Sequence, residues 1–479
     1  MRFLVIAIVA AALLCGMAAT EPPDPNPVLL ELNRGESATV RLARGRSCTV
    51  KLLDCREHTE PYFESAKKQS VEALISADLT VEVDGVKKTF SGGPFRMPTE
   101  VNGVALLLNC THNWSGGIDP DPLSMDVRLE ARAAALPWYD GERFCFPVRN
   151  YRWRIMNYQH TYLGIAVNQA RLYYHRGEDF GLIPDLEQVF SITAAKVTQV
   201  PGLQGDGDSN YVSLEDPTGL RFWYAHMNAP HIDRNLQVGN SVAAGQQLGL
   251  TGNTWQGRPV QDPHLHLEVR DKKGSTFRNT FPLLVSAFRK SFPGELLPIA
   301  GGWRHVFRGG SLTLDGSLSL PAPGNRIADF NWTFSDGSQA AGPQVTRSYN
   351  KAGAYSEQLT VKEDQGRMDF DFVEVFVLTR DQKIPPPYAW VNYYPVRGIQ
   401  PGTTIHFLIR HSNLKNVTVD YGDGTVQPWA ENSSHQYRQP GIYIITVRGE
   451  DAGAGPGIFH ARVIVEDKLE QVGVRTDGG

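Results

Sequence analysis

Six of the thirteen histidines in this 479-residue chain fall between residues 142 and 284, and four of those six sit in three short clusters. The first cluster is Tyr174-His175-Arg176-Gly177-Glu178-Asp179-Phe180. Residues four apart lie about 13 Å from each other in a fully extended chain, whereas two ligands of one zinc ion each lie about 2 Å from it. The chain must therefore bend between His175 and Asp179 if both hold one metal, and Gly177 supplies the backbone freedom to do so. The second cluster, Pro263-His264-Leu265-His266-Leu267-Glu268-Val269, alternates like a strand, with the three aliphatic residues on one face and His264 and His266 sharing the other. The third, Phe222-Trp223-Tyr224-Ala225-His226, is a strand-like run ending in a histidine. Taken singly, each histidine reads as a packed or surface residue. Together they supply what a zinc hydrolase needs: nitrogen or oxygen ligands, an open position for water, and acid or base groups close by. His160 and His231 have no partner at ligand spacing and read as surface or packing residues. Glu178 reads as a solvated loop residue and Glu268 as structural.

The three clusters, taken in chain order, resemble the lysostaphin and LytM type of zinc metallopeptidase, a family whose members mostly cut peptide bonds in peptidoglycan. The glycine-punctuated stretch between the second and third motifs in chain order, through Gly239, Gly245, Gly249 and Gly252, looks like that family's turn-rich approach to its last motif. The resemblance covers roughly residues 142–284. It implies that His175, Asp179 and His266 bind Zn2+ and that His226 and His264 form the catalytic pair. Such chemistry is physically coherent. A zinc ion with three protein ligands activates a water and polarises the scissile carbonyl, one histidine takes the water's proton, and the other, protonated, stabilises the oxyanion. The two parts are not divided between the histidines by sequence alone. Asp262 before Pro263 and the extended stretch 255–261 depart from compact family members, and both bear on substrate more than on metal.

These elements need a scaffold, and the chain reads as mostly β and multidomain. With 46 Gly and 31 Pro, turns are frequent, and long amphipathic helical patterns are rare. Residues 28–136 form an expected β-rich N-terminal domain, with strands near residues 38–42, 79–83 and 104–108, a turn at Asp84-Gly85, and a helix expected over residues 62–75. Residues 142–284 read as the compact antiparallel β peptidase domain. A repeat of roughly 88 residues follows. Trp332-Thr333-Phe334-Ser335-Asp336-Gly337 is matched by Val419-Asp420-Tyr421-Gly422-Asp423-Gly424, and both copies continue through Tyr349 or Tyr437 to a Gly-x-Tyr. The copies, residues 297–381 and 385–467, resemble PKD domains, immunoglobulin-like β-sandwiches, joined by Pro385-Pro386-Pro387 as a stiff linker. A spacer role is expected of them, with binding to a polymer or surface as the alternative.

Export follows from the first residues. Met1 and Arg2 precede an apolar run to Cys15 and the small residues Ala18 and Ala19, a pattern expected of a signal peptide over residues 1–20 rather than a transmembrane helix. The mature chain is expected to be secreted, periplasmic or in the cell envelope, with residues 21–27 as a flexible Pro-rich leader. Four cysteines then remain, for which oxidising conditions favour disulfides, Cys48 with Cys55 and Cys110 with Cys145. A net charge of -4 without a basic cluster argues against nucleic acid as a partner. The function expected is a secreted zinc metalloendopeptidase acting on peptidoglycan cross-links or glycine-rich peptides. The alternative is a non-catalytic binding or regulatory protein of the cell envelope that keeps the fold.

Overall fold

In a computed structural model of the chain, the described residues are 24–42, 46–118, 122–154, 161–166, 171–201, 211–255, 257–260, 262–271, 275–451, 453 and 455–467. The expected signal peptide and His160 lie outside them. The fold is mostly β and multidomain, built from largely antiparallel sheets around separate apolar cores. Among the described residues, no helix is long and apolar enough to cross a membrane.

The N-terminal region is dominated by a long hairpin of strands Ser47–Glu64 and Gln69–Val83, extended by Ser37–Arg41 and Val86–Gly92. Asp84 and Gly85 turn with φ of 44° and 84°, the left-handed pair that a two-residue hairpin requires. The helix expected over residues 62–75 is this hairpin's tip instead: Phe63 pairs with Ser70 and Tyr62 with Val71. Cross-strand pairing of residues 69–74 with Thr59–Glu64 prevails over local helical propensity. The core of this region also takes in Tyr162, Leu163, Ile165, Tyr174 and Phe277. The Leu74 amide donates to Tyr174 Oη at 2.7 Å, so the residue before His175 is anchored from outside the histidine-bearing segment.

Neither expected disulfide is formed among the described residues: Cys48, Cys55, Cys110 and Cys145 carry thiols. Cys48 and Cys55 lie on one continuous strand, where seven residues span about 23 Å, far beyond the roughly 7 Å that a disulfide can bridge. Cys110 accepts from Arg128 within the N-terminal core, while Cys145 donates to the Ser191 carbonyl at 3.1 Å. The described part of the leader is not a loose spacer either, since Asn26 is buried and donates to Thr218 Oγ1 at 2.8 Å, and the Pro27 carbonyl accepts from Arg278.

The six-stranded sheet that carries the histidine clusters runs in the order Ser241–Val242, Ala195–Gln199, Val212–Glu215, Arg221–Ala225, His264–Arg270, Glu178–Gly181, antiparallel throughout. Leu265, Leu267 and Val269 enter a core with Phe222, Tyr224 and Phe180, and helix Phe281–Ser291 covers it with Leu284, Ala287 and Phe288. Nearby, burial pushes the Glu187 carboxyl from its usual 4.5 up to about 7, opposed by a hydrogen bond from Asn150. An acid whose pKa is raised on folding contributes stability that is full below its unfolded value and is lost as pH rises through its folded value. Glu187→Gln should therefore match the parent protein at pH 4.5 and exceed it at pH 8, by up to about 3 kcal/mol. Urea unfolding at the two pH values checks this, and equal differences at both would refute it.

The two C-terminal modules share a single nine-stranded sheet, joined where Ala354 of one pairs with Gly457 of the other. They are also fastened to the histidine-bearing segment by buried polar contacts. Arg152 pairs with Glu466 and Arg154 with Asp371 at 3.1 Å, while Arg397 donates to the Tyr151 carbonyl at 2.7 Å and Arg462 to the Trp153 carbonyl at 2.6 Å. Asn392, fully buried on strand Tyr388–Tyr394, donates its amide to the carbonyls of Leu182 at 3.1 Å and Pro263 at 3.0 Å. Those two carbonyls flank strands Glu178–Gly181 and His264–Arg270. Removing the amide strands buried acceptors, so Asn392→Ala should cost about 1–3 kcal/mol, read as a lower urea midpoint; an unchanged midpoint would contradict the clamp.

Candidate metal centre

Antiparallel register does most of the work of assembling the site. Strand His264–Arg270 places His266 directly opposite Asp179 on one side and Ala225 on the other, and His264 opposite Gly181. His226, just past the end of strand Arg221–Ala225, turns into the cleft with a φ of 62°. His175 arrives from a different direction: its amide donates to the Gly164 carbonyl at 2.8 Å and its own carbonyl accepts from Leu163. The chain then bends at Gly177, where an added Cβ would meet the Leu267 carbonyl oxygen at 2.2 Å. Glycine is needed there because two backbones touch, rather than for a left-handed conformation.

The result is a tight triangle of donor atoms. His175 Nε2 lies 3.1 Å from Asp179 Oδ1 and 3.0 Å from His266 Nδ1, and His266 Nδ1 lies 2.8 Å from Asp179 Oδ1. Tetrahedral zinc with ligands near 2.05 Å sets its donors about 3.3 Å apart, so the residues fit such an ion with only a small expansion. Within the described residues this is the one group of histidine, cysteine or acidic side chains that converges in this way. The ring orientations are set from behind. His175 Nδ1 bonds the Gly177 carbonyl at 2.8 Å, leaving Nε2 for the triangle, and His266 turns its Nε2 to Glu268 Oε2 at 3.6 Å, leaving Nδ1. Burial opposes charge on His266, but the hydrogen bonds its ring donates to Asp179 and Glu268 raise its pKa to about 9.

His226 and His264 stand beside the triangle with ring centroids 4.4 Å apart. Each commits Nδ1 to a backbone carbonyl, His264 to Asp262 at 2.5 Å and His226 to Thr254 at 3.2 Å, so both present Nε2 to the cleft. His264 Nε2 reaches within 3.4 Å of Asp179 Oδ1. Burial, followed by the neighbouring His264 and His266, holds His226 well below the usual histidine value. The cleft, about 420 Å³, is also lined by Tyr173, Arg176, Trp223, Trp255 and Asp262.

All five expected site residues are thus brought together, while His231 lies apart in a surface pair with Asp185. One acid, Glu178, differs from expectation, and the other, Glu268, is structural as expected. Glu178 is buried, not solvated, because strand alternation turns it away from Asp179 into the interior, where it meets Thr161 and burial pushes its carboxyl up to about 8. Glu268 orients His266. The signal for it was present in the sequence: two residues beyond His266 on a strand, it must share that histidine's face.

Comparison with known proteins bears on the same region. Residues 173–278 match the model of peptidase family M23, and residues 297–377 match that of the PKD domain. Lysostaphin from Staphylococcus staphylolyticus and from Staphylococcus simulans is 31% identical over 120 residues, which is 24% of this chain and 23% of the relative. The alignment thus spans about a quarter of those relatives. A solved structure described as the glycyl-glycine endopeptidase LytM of Ruminococcus gnavus aligns at 25% identity over 28% of this chain and 63% of that one, with a TM-score of 0.20. Csd3 of Helicobacter pylori aligns at 16% identity over 51% and 74%, with a TM-score of 0.22. The chain therefore carries a peptidase family M23 domain, of the LytM and lysostaphin type, over residues 173–278, followed by a PKD domain over residues 297–377.

Proposed function

We propose that this protein is a secreted zinc metalloendopeptidase that hydrolyses peptide bonds in peptidoglycan cross-links or glycine-rich peptides. The observation that carries the reading is the buried triangle of His175 Nε2, Asp179 Oδ1 and His266 Nδ1, with two further histidines presenting Nε2 to the same cleft. In this reading His175, Asp179 and His266 hold Zn2+, which when bound supplies Lewis acidity and makes a water acidic enough to ionise near neutral pH. His264, its Nδ1 fixed on Asp262, takes a proton at Nε2. His226, oriented by Thr254, presents Nε2 to the oxyanion that develops on the scissile carbonyl, to which its protonated form would donate a hydrogen bond. Residues 142–284 would form the peptidase unit, and residues 297–381 and 385–467 the two sandwiches that brace it.

The test is zinc content of the purified mature chain together with hydrolysis of purified peptidoglycan and of a pentaglycine peptide. About one zinc per chain and cleavage of either substrate are expected. Metal without cleavage of either would remove the substrate assignment, and failure to bind metal would leave a non-catalytic binding protein.

A further inference from the structure

We propose that Arg176 recognises a free carboxylate on the substrate, which makes carboxylate-bearing peptides, rather than uncharged glycine chains, the preferred class; the proposal rests on the peptidase reading above. Arg176 follows His175 directly and lines the same cleft as the donor triangle and the two catalytic histidines. Its guanidinium lies against two aromatic rings, 5.3 Å from the centroid of Tyr173 and 5.2 Å from that of Phe277. Its Nε is buried without a hydrogen-bond partner. No carboxylate among the described residues lies within ion-pair distance of it.

The nearby acids are already engaged. Asp179 faces His175 and His266, and Glu268 is held by Arg270 and His266. Arg270 makes the contrast plain. It too lies on Phe277, at 4.7 Å, and on Trp223, at 4.2 Å, but its Nε donates to Glu268 Oε1 at 3.0 Å. Two stacked arginines therefore flank one ring, and among the described residues only the one facing the cleft lacks an anion. A guanidinium already immobilised by rings gives up little further freedom on pairing, and its planar fork matches a carboxylate with two parallel hydrogen bonds. The carboxylate could come from a peptide's C-terminus or from an acidic side chain, and both present the same group.

The experiment uses the zinc-loaded full mature chain and two matched pairs of peptides: free C-terminus against C-terminal amide, and an internal Glu against Gln. Relative kcat/KM is measured within each pair, and equilibrium binding of the same peptides is measured by fluorescence anisotropy on the metal-free protein. The carboxylate member of one pair should be favoured about 10- to 100-fold, and which pair responds identifies the source. Arg176→Gln should bring that ratio towards one, and Arg176→Lys should keep part of it, since the charge remains without the fork. Because the ratio is taken within each protein, a general loss of folding or metal does not imitate the effect. Should Arg176→Gln fail to fold, the parent protein's own ratio and the lysine variant still decide. Equal use of both members of each pair, or a preference that survives in Arg176→Gln, overturns the proposal. Arg176-dependent binding of carboxylate peptides without any cleavage would remove the peptidase reading and leave the carboxylate site standing.

Discussion

Replacing His266 by alanine is expected to abolish both metal binding and hydrolysis, whereas His264→Ala should keep about one metal ion per chain and lose hydrolysis alone. The distinction follows from the donor triangle. His266 Nδ1 is one of its three corners, 2.8 Å from Asp179 and 3.0 Å from His175, so its removal leaves only two ligands, four residues apart on one bent segment. Zinc hydrolase sites use three protein ligands. His264 lies outside the triangle and pairs across the sheet with Gly181, where an alanine can sit without disturbing the register of His266 with Asp179. Its loss removes a proton acceptor, an effect of about 10²- to 10⁴-fold on turnover. Metal analysis by mass spectrometry beside a cleavage assay separates the two variants. Loss of metal from His264→Ala, or its retention by His266→Ala, would require a different ligand set.

A single methyl group at residue 177 should be almost as damaging. The Cβ of Gly177→Ala would fall 2.2 Å from the Leu267 carbonyl oxygen, 2.8 Å from its carbon and 2.9 Å from Glu268 Cα. These are backbone atoms of the strand that carries His264 and His266, so no flexible side chain can yield. Either that strand or the turn after His175 must move, and a triangle with edges near 3 Å does not survive a displacement of that size. Overpacking of this kind costs about 1–3 kcal/mol or more, and zinc affinity should fall by at least about 10- to 100-fold, the loss typical of disturbed support around a metal site. Calorimetric zinc titration with urea unfolding measures both. An alanine variant with parental affinity would show that the backbone contact is dispensable.

Much of the site was legible because it rests on local periodicity. The alternation of residues 263–269 put His264 and His266 on one face of a strand, and the same rule applied to residues 178–180 would have separated buried Glu178 from Asp179. The bend at Gly177 was also foreseeable, though its cause was not: the sequence shows a flexible residue, and only the packed backbones show a steric requirement. Where a reading depended on contacts distant in sequence, it failed or was silent. Cys48 and Cys55 look like neighbours on paper and are held apart by the extended strand between them. The segment around Tyr62 reads as helix until its pairing with the following strand is known.

The C-terminal modules divide in the same way. Their repeat, turn glycines and strand runs are written in the sequence, as is the PKD match of the first copy. Their attachment is not, since Asn392 reaches the carbonyls of Leu182 and Pro263 across 210 and 129 residues, and Arg462 reaches Trp153 across 309. By itself the sequence determined which residues could do chemistry and which strand faces they occupy, because side-chain direction in a strand is fixed every second residue by local geometry. The tertiary structure alone decided that His266 lies opposite Asp179, that His175 closes the triangle across the bend at Gly177, and that Arg176 lines the cleft with no anion beside it among the described residues. Register and long-range packing are set by the sum of many weak contacts across the whole core, and no window of residues contains that sum.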